Sequence, residues 1–63
     1  KKDIKPIDIR DKVWVGNRVT ILKGVTIGEG AVIAPGTIVA SNVPAHALAA
    51  GNPARVIPLI LKD

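Results

Sequence analysis

Sixty-three residues at 6.6 kDa hold one small domain at most, and a chain without Cys has neither a disulfide framework nor a thiolate metal site. One Trp with no Phe or Tyr leaves little bulk for a compact core, while nine Ile and eight Val against four Leu favour strands, because β-branched side chains suit a pleated surface and are stiff in a helix. The net charge of +4 comes mostly from the first 23 positions, where signs alternate (Lys5, Asp8, Arg10, Asp11, Lys12); that is a solvated surface, and with no basic cluster and no aromatics to stack bases it excludes nucleic-acid binding.

Residues 1–6 read as a leading segment, KKDIKP, with no apolar core of a secretion signal. No run in the chain approaches the ~18 apolar residues of a membrane span, so the expectation is a cytoplasmic protein with no membrane partner. The chain also begins without Met, and it reads as the C-terminal portion of something longer.

Residues 7–44 carry an internal repeat. From Ile9 every sixth residue is Ile or Val: Ile9, Val15, Ile21, Ile27, Ile33 and Val39. Two residues before each stands Ile7, Val13, Val19, Val25, Ala31 and Thr37, with Val43 continuing that series. A spacing of two puts both members of a pair on one face of a strand. A six-residue period fits neither helix packing nor plain alternation, so short strands joined by bends are required. The bends have suitable residues: the third position after each Ile or Val is Lys12, Arg18, Gly24, Gly30, Gly36 and Asn42, and the last four tolerate left-handed backbone.

After Pro44 the period stops. Residues 45–63 read as a C-terminal loop crossing the end of the repeat and a capping tail, because Pro44, Pro53 and Pro58 punctuate a run of small residues. The stretch VIPLIL is an aggregation hazard when exposed, so it is expected to be buried.

The segment VWVGNRVTILKGVTIGEGAVIAPGTIVASNVP, followed by AAGNPARVI, resembles the hexapeptide-repeat acyltransferases, in particular the C-terminal portion of maltose/galactoside and capsular-polysaccharide O-acetyltransferases. The resemblance implies an all-β fold, a single-stranded left-handed parallel β-helix of about two coils, with three hexads to a coil. Residues 18 apart would then stack inside a triangular prism: Ile7 on Val25 on Val43, Ile9 on Ile27, Val13 on Ala31, Val15 on Ile33, Val19 on Thr37 and Ile21 on Val39. A solenoid buries such rungs only against its neighbours, so two coils leave an apolar end open towards residue 1.

The same resemblance implies acetyl-CoA as co-substrate, no metal, and a homotrimer with active sites between subunits. Carried over residue by residue, Trp14 lines the acceptor end of the cleft, Asn17 lies beside the thiol, Pro35 lies along the pantetheine, Ala40 and Ser41 lie near the adenosine, and Arg55 meets the nucleotide phosphates. An Arg is well suited to that last contact. Two departures are expected to weaken nucleotide binding: Ala40 and Ser41 stand where relatives have Thr-Lys, and Pro58 stands where they often have a second cation, leaving Arg55 with Lys23 or Lys62. The family's catalytic His belongs upstream of Lys1, and His46 in the terminal loop does not match it. No catalytic residue is therefore assigned within the chain.

Each assignment has a plainer alternative. Trp14 points outward if Val13 and Val15 point in, and with Val32 and Ile38 it could be subunit interface; Asn17 could be a turn residue and Arg55 a solvated charge. A metal-dependent hydratase of the same architecture needs three His, and the chain has one. An ice-binding prism needs Thr rows, but the outward pairs are Thr20 with Ile38 and Thr26 with Pro44. A non-catalytic trimerising β-helix fragment remains the alternative to an acetyltransferase that acts on a sugar, polysaccharide or related small acceptor.

Overall fold

The computed structural model describes residues 5–59. Six two-residue strands follow the hexads: β1 (Asp8–Ile9), β2 (Trp14–Val15), β3 (Thr20–Ile21), β4 (Thr26–Ile27), β5 (Val32–Ile33) and β6 (Ile38–Val39). Each pairs in parallel with the strand three hexads away, so Ile9 lies on Ile27, Val15 on Ile33 and Ile21 on Val39, a register of eighteen residues. The three pairs are the faces of a prism, and the chain is a single-stranded left-handed parallel β-helix. The first face holds β1 and β4, the second β2 and β5, and the third β3 and β6.

The ladder that joins the coils is regular. Asp8, Trp14 and Thr20 donate their amides to the carbonyls of Val25, Ala31 and Thr37, at 2.9 to 3.0 Å. The inward side chains make the core: Val25, Ile27, Ala31, Ile33 and Val39 are buried, and Val13, Val19 and Ile21 pack against them. A narrow prism accepts branched aliphatics and little more, so the lack of Phe and Tyr is no deficit here. Thr37 sits in the same interior with its hydroxyl fully buried and unpartnered. In the first coil Ile7, Ile9 and Val15 are more than two-fifths exposed.

Corner backbone is left-handed at Lys12 (φ 61°), Arg18 (φ 59°), Gly24 (φ 78°), Gly30 (φ 71°) and Gly36 (φ 75°), one hexad apart as the sequence predicts. The series then breaks. The next left-handed residue is His46 (φ 54°) and not Asn42. The third coil is two residues short: Val43 bridges to Ile27, and Val32 and Ile33 pair with Leu48 and Ala49, all sixteen residues on. The stack of Val43 on Val25 is therefore corrected to Val43 on Ile27, because the chain crosses from Val39 to the first face with two fewer residues than it uses in the coil below.

The segment expected to be loop and tail contains two strands. β7 (Ala47–Gly51) continues the second face above β5, and β8 (Ala54–Pro58) returns antiparallel along it, giving a four-stranded sheet in the order β2-β5-β7-β8. Small inward residues, Ala47 and Ala49, let this hairpin close over the core, with Ala54 packed beside them. The turn between the strands holds Gly51 at φ 105° and a cis Asn52–Pro53 peptide. Being outermost, β8 leaves Val56 and Ile57 exposed, and Leu59 beyond it is exposed too, against the expectation that VIPLIL is buried. Ile60, Leu61 and Lys62 lie outside the described residues.

Candidate functional site

Strand alternation sorts the outward residues of the three faces into different chemistries. The first face carries Asp8, Arg10 and Thr26, with Asp8 and Arg10 paired at 3.0 Å (Oδ2 to Nε). The third carries Thr20, Leu22, Ile38 and Ala40. On the second face, Trp14, Val32, Leu48 and Ile57 stand directly opposite one another across four strands. Trp14 is 60% exposed and Ile57 is 53% exposed, with the other two half-buried between them. This apolar ridge has a second row beside it, Gly16, Ala34 and Ala50, whose own side chains are no larger than a methyl, with the Pro35 ring against Gly16. Arg55 faces Ala50 across the hairpin and ends that row.

Ridge, small-residue row and terminal guanidinium lie side by side on this face, and a guanidinium is a donor suited to anionic groups. The corner between the second and third faces borders the row. There Pro35 lies so close above Gly16 that a Cβ on Gly16 would come within 2.7 Å of the Pro35 nitrogen, and the Gly36 amide donates to the Asn17 carbonyl at 2.8 Å. The structure thus brings Trp14, Asn17, Pro35 and Arg55 to one side of the prism. Ala40 and Ser41 are exposed at the next corner, beyond β6, and the third face separates them from Asn17 and Pro35.

His46 stands at a third corner, above Gly30, where its Nδ1 lies 2.6 Å from the place a Gly30 Cβ would take. Its amide donates to the Glu29 carbonyl and its carbonyl accepts from the Leu59 amide, both at 2.9 Å. A shallow pocket lined by Arg10, Asp11 and Glu29 opens at that corner, away from Trp14 and Arg55. Among the described residues no group of three or more His, Cys, Asp or Glu converges as metal ligands, and no helix is long and apolar enough to cross a membrane.

Sequence reasoning missed Leu48 and Ile57. Their signal was present as alternation in ALAAG and ARVIP on either side of a Gly-Asn-Pro turn, but the broken hexad period hid it.

Comparison with known proteins gives a consistent pattern. The family model described as bacterial transferase hexapeptide (six repeats) matches residues 6–41. Among solved structures, the chain is similar to the polySia-specific acetyltransferase NeuO, at 48% identity and a TM-score of 0.84, covering 94% of this chain and 26% of that one. It is similar to a hexapeptide-repeat acetyltransferase of Vibrio cholerae complexed with acetyl coenzyme A, at 47% identity and TM-score 0.85, covering 94% and 32%. A galactoside acetyltransferase in complex with coenzyme A matches at 47% identity and TM-score 0.86, covering 90% and 28%. The chain thus spans about a quarter to a third of the length of these relatives.

Proposed function

This chain belongs to the bacterial transferase hexapeptide family, and from that membership we propose that it supplies coils and a terminal hairpin of an acetyltransferase that moves an acetyl group from acetyl-CoA to a hydroxyl, or an amine, of a sugar, polysaccharide or related small acceptor. The observation that carries this reading is the trough of Gly16, Ala34 and Ala50 running from the exposed Trp14 side to Arg55. A pantetheine arm needs a path with little side-chain obstruction, which Ala34 and Ala50 leave, with the Pro35 ring bordering it at Gly16. A nucleotide phosphate needs a charged donor, and the position of Arg55 at the end of the row supports that role for it. The repeat of residues 7–44 forms the wall, with Asn17 and Pro35 along the corner, while the terminal unit of 45–63 contributes the cation. Ala40 and Ser41, beyond the third face, lie off this path within one chain and reach the far end of the ligand from a neighbouring copy.

The acceptor's base is a histidine from outside these residues, since the chain's single His stacks on Gly30 at a different corner. That placement also favours the second reading, a β-helix that trimerises without chemistry of its own. Association follows from the faces. The second and third present Trp14, Ile57, Leu22 and Ile38, and the first presents charge. Two unlike apolar faces suit a heterologous ring, in which one copy's second face meets the next copy's third face, and a homotrimer closes such a ring around a prism of triangular section. A cytoplasmic setting in polysaccharide biosynthesis fits the thioester donor.

Arg55→Ala in the full-length protein is expected to raise KM for acetyl-CoA by roughly one to two decades, the loss of ~1.5–3 kcal/mol that a charge-assisted hydrogen bond supplies. An unchanged KM would remove the nucleotide role. Sedimentation is expected to give a trimer, and a folded monomer would overturn the ring.

A further inference from the structure

We infer that Asn42 is a positioning residue, whose side-chain carbonyl replaces a missing rung of the main-chain ladder and so fixes the register of the third coil, on which the placement of Arg55 depends. On the first face, the regular ladder between coils one and two has two amide donations upward: Asp8 to the Val25 carbonyl and Arg10 to the Ile27 carbonyl, each at 3.0 Å. Between coils two and three the second of these is kept, since Gly28 donates to the Val43 carbonyl at 2.8 Å. The first has no main-chain counterpart, because the chain reaches Val43 two residues early. Thr26 donates its amide instead to Asn42 Oδ1 at 2.8 Å. The Val43 amide then donates to the Thr26 carbonyl at 2.9 Å, which locks the short register from the other side.

The donor fixes the side chain's sense: an N–H can be met only by the amide oxygen of Asn42, never by its nitrogen. A β-strand slipped by one residue presents the wrong face, and one slipped by two keeps its faces but shifts every partner. In the eighteen-residue frame, Val43 would sit on Val25 with Asn42 at a left-handed corner. In the observed frame Asn42 is not left-handed above Gly24, His46 takes the next corner, above Gly30, and Leu48 and Ala49 lie on Val32 and Ile33. β8 is paired along β7, so Arg55 stands at the end of the trough only in this second frame. The inference rests on the nucleotide role proposed for Arg55, and the test separates the two.

The experiment compares Asn42→Ala, Asn42→Asp and Arg55→Ala in the full-length protein, reading amide exchange at Thr26 and Val43 together with KM and kcat for acetyl-CoA. Asn42→Ala is expected to speed exchange at both amides about tenfold, the worth of one net hydrogen bond. It is also expected to raise KM roughly three- to tenfold by misplacing a binding group, with kcat within about twofold. Asn42→Asp keeps an acceptor at the same reach and restores both readouts. An Asn42→Ala protein that does not fold beside a folded Asn42→Asp supports the same requirement for an acceptor. Unchanged exchange in Asn42→Ala overturns the inference, as does faster exchange with unmoved KM where Arg55→Ala does raise KM. If Arg55→Ala leaves KM unmoved, the nucleotide role falls and register fixing is decided by exchange at Thr26 and Val43 alone.

Discussion

The rungs and the corners of this prism are built by opposite rules. On the rungs the sequence repeats aliphatic side chains: Ile27, Ile33 and Val39 are fully buried because apolar residues of neighbouring coils stack on them. At the corners the recurring element is a backbone angle, and what the next coil places above decides how large a side chain fits. Lys12 and Arg18 adopt the same left-handed corner as Gly30 and Gly36. Lys12 lies one coil below Gly30, and Gly30 in turn lies under the His46 ring, which a Cβ there would strike. Glycine therefore has two separable uses here, conformational freedom and clearance, and a six-residue period shows only that one of them is needed.

Substitutions that isolate each use sharpen the contrast. Gly28 is not left-handed, yet a Cβ there would collide with the Ala45 nitrogen, so it tests clearance alone. Backbone has to move to admit it, and Gly28→Ala is expected to destabilise by about 3 kcal/mol. Gly36 is the reverse case, with φ 75° and nothing within 4 Å of a built Cβ. Only the left-handed penalty remains, and Gly36→Ala is expected to cost about 1–2 kcal/mol. Denaturant midpoints for the two variants check the order, and equal losses would mean that crowding and backbone angle are not separable at these corners. The rungs offer the opposite sign. Thr37 occupies a position stacked on Val19 with its hydroxyl buried and unpartnered, so Thr37→Val keeps the shape and removes the unmet polar group. A gain of about 1 kcal/mol is expected, read as a raised midpoint at constant m-value.

Most of the fold was legible because its cause is periodic. Ile9 on Ile27, Val15 on Ile33 and Ile21 on Val39 follow from the hexads and the eighteen-residue coil of the family the chain resembles. The third coil was not legible, since Asn42 and Val43 satisfy the regular frame as well as the short one. Asn tolerates a left-handed corner and Val fills either rung, so only the ladder bond from Thr26 to Asn42 separates the two. The hairpin was hidden for a related reason: Pro53 and Pro58 signal breaks, yet Pro53 sits in the turn and Pro58 ends β8. Within the site, the outward aim of Trp14 follows from alternation with Val13 and Val15. The meeting of Arg55 with Gly16, Ala34 and Ala50 depends on β8 folding back in the short register, whose local alternation the broken hexad period hid.

The weakest contrast is the most informative about the corners of the first coil. Arg18 holds φ 59° with a full side chain, which costs roughly 1 kcal/mol relative to a residue free of Cβ crowding. Gly at that position would relieve the penalty but widen the unfolded ensemble, a loss of about 0.5–1 kcal/mol. The two nearly cancel, and Arg18→Gly is expected to shift stability by less than about 0.5 kcal/mol. Gly36 lies one coil above and donates its amide to the Asn17 carbonyl, not to the Arg18 side chain, so the ladder is untouched by the change. A midpoint indistinguishable from that of the parent protein would therefore show that this corner carries Arg without strain beyond the backbone term. A large gain would mean that the Arg side chain is itself crowded, and a large loss that it makes a contact the corner depends on.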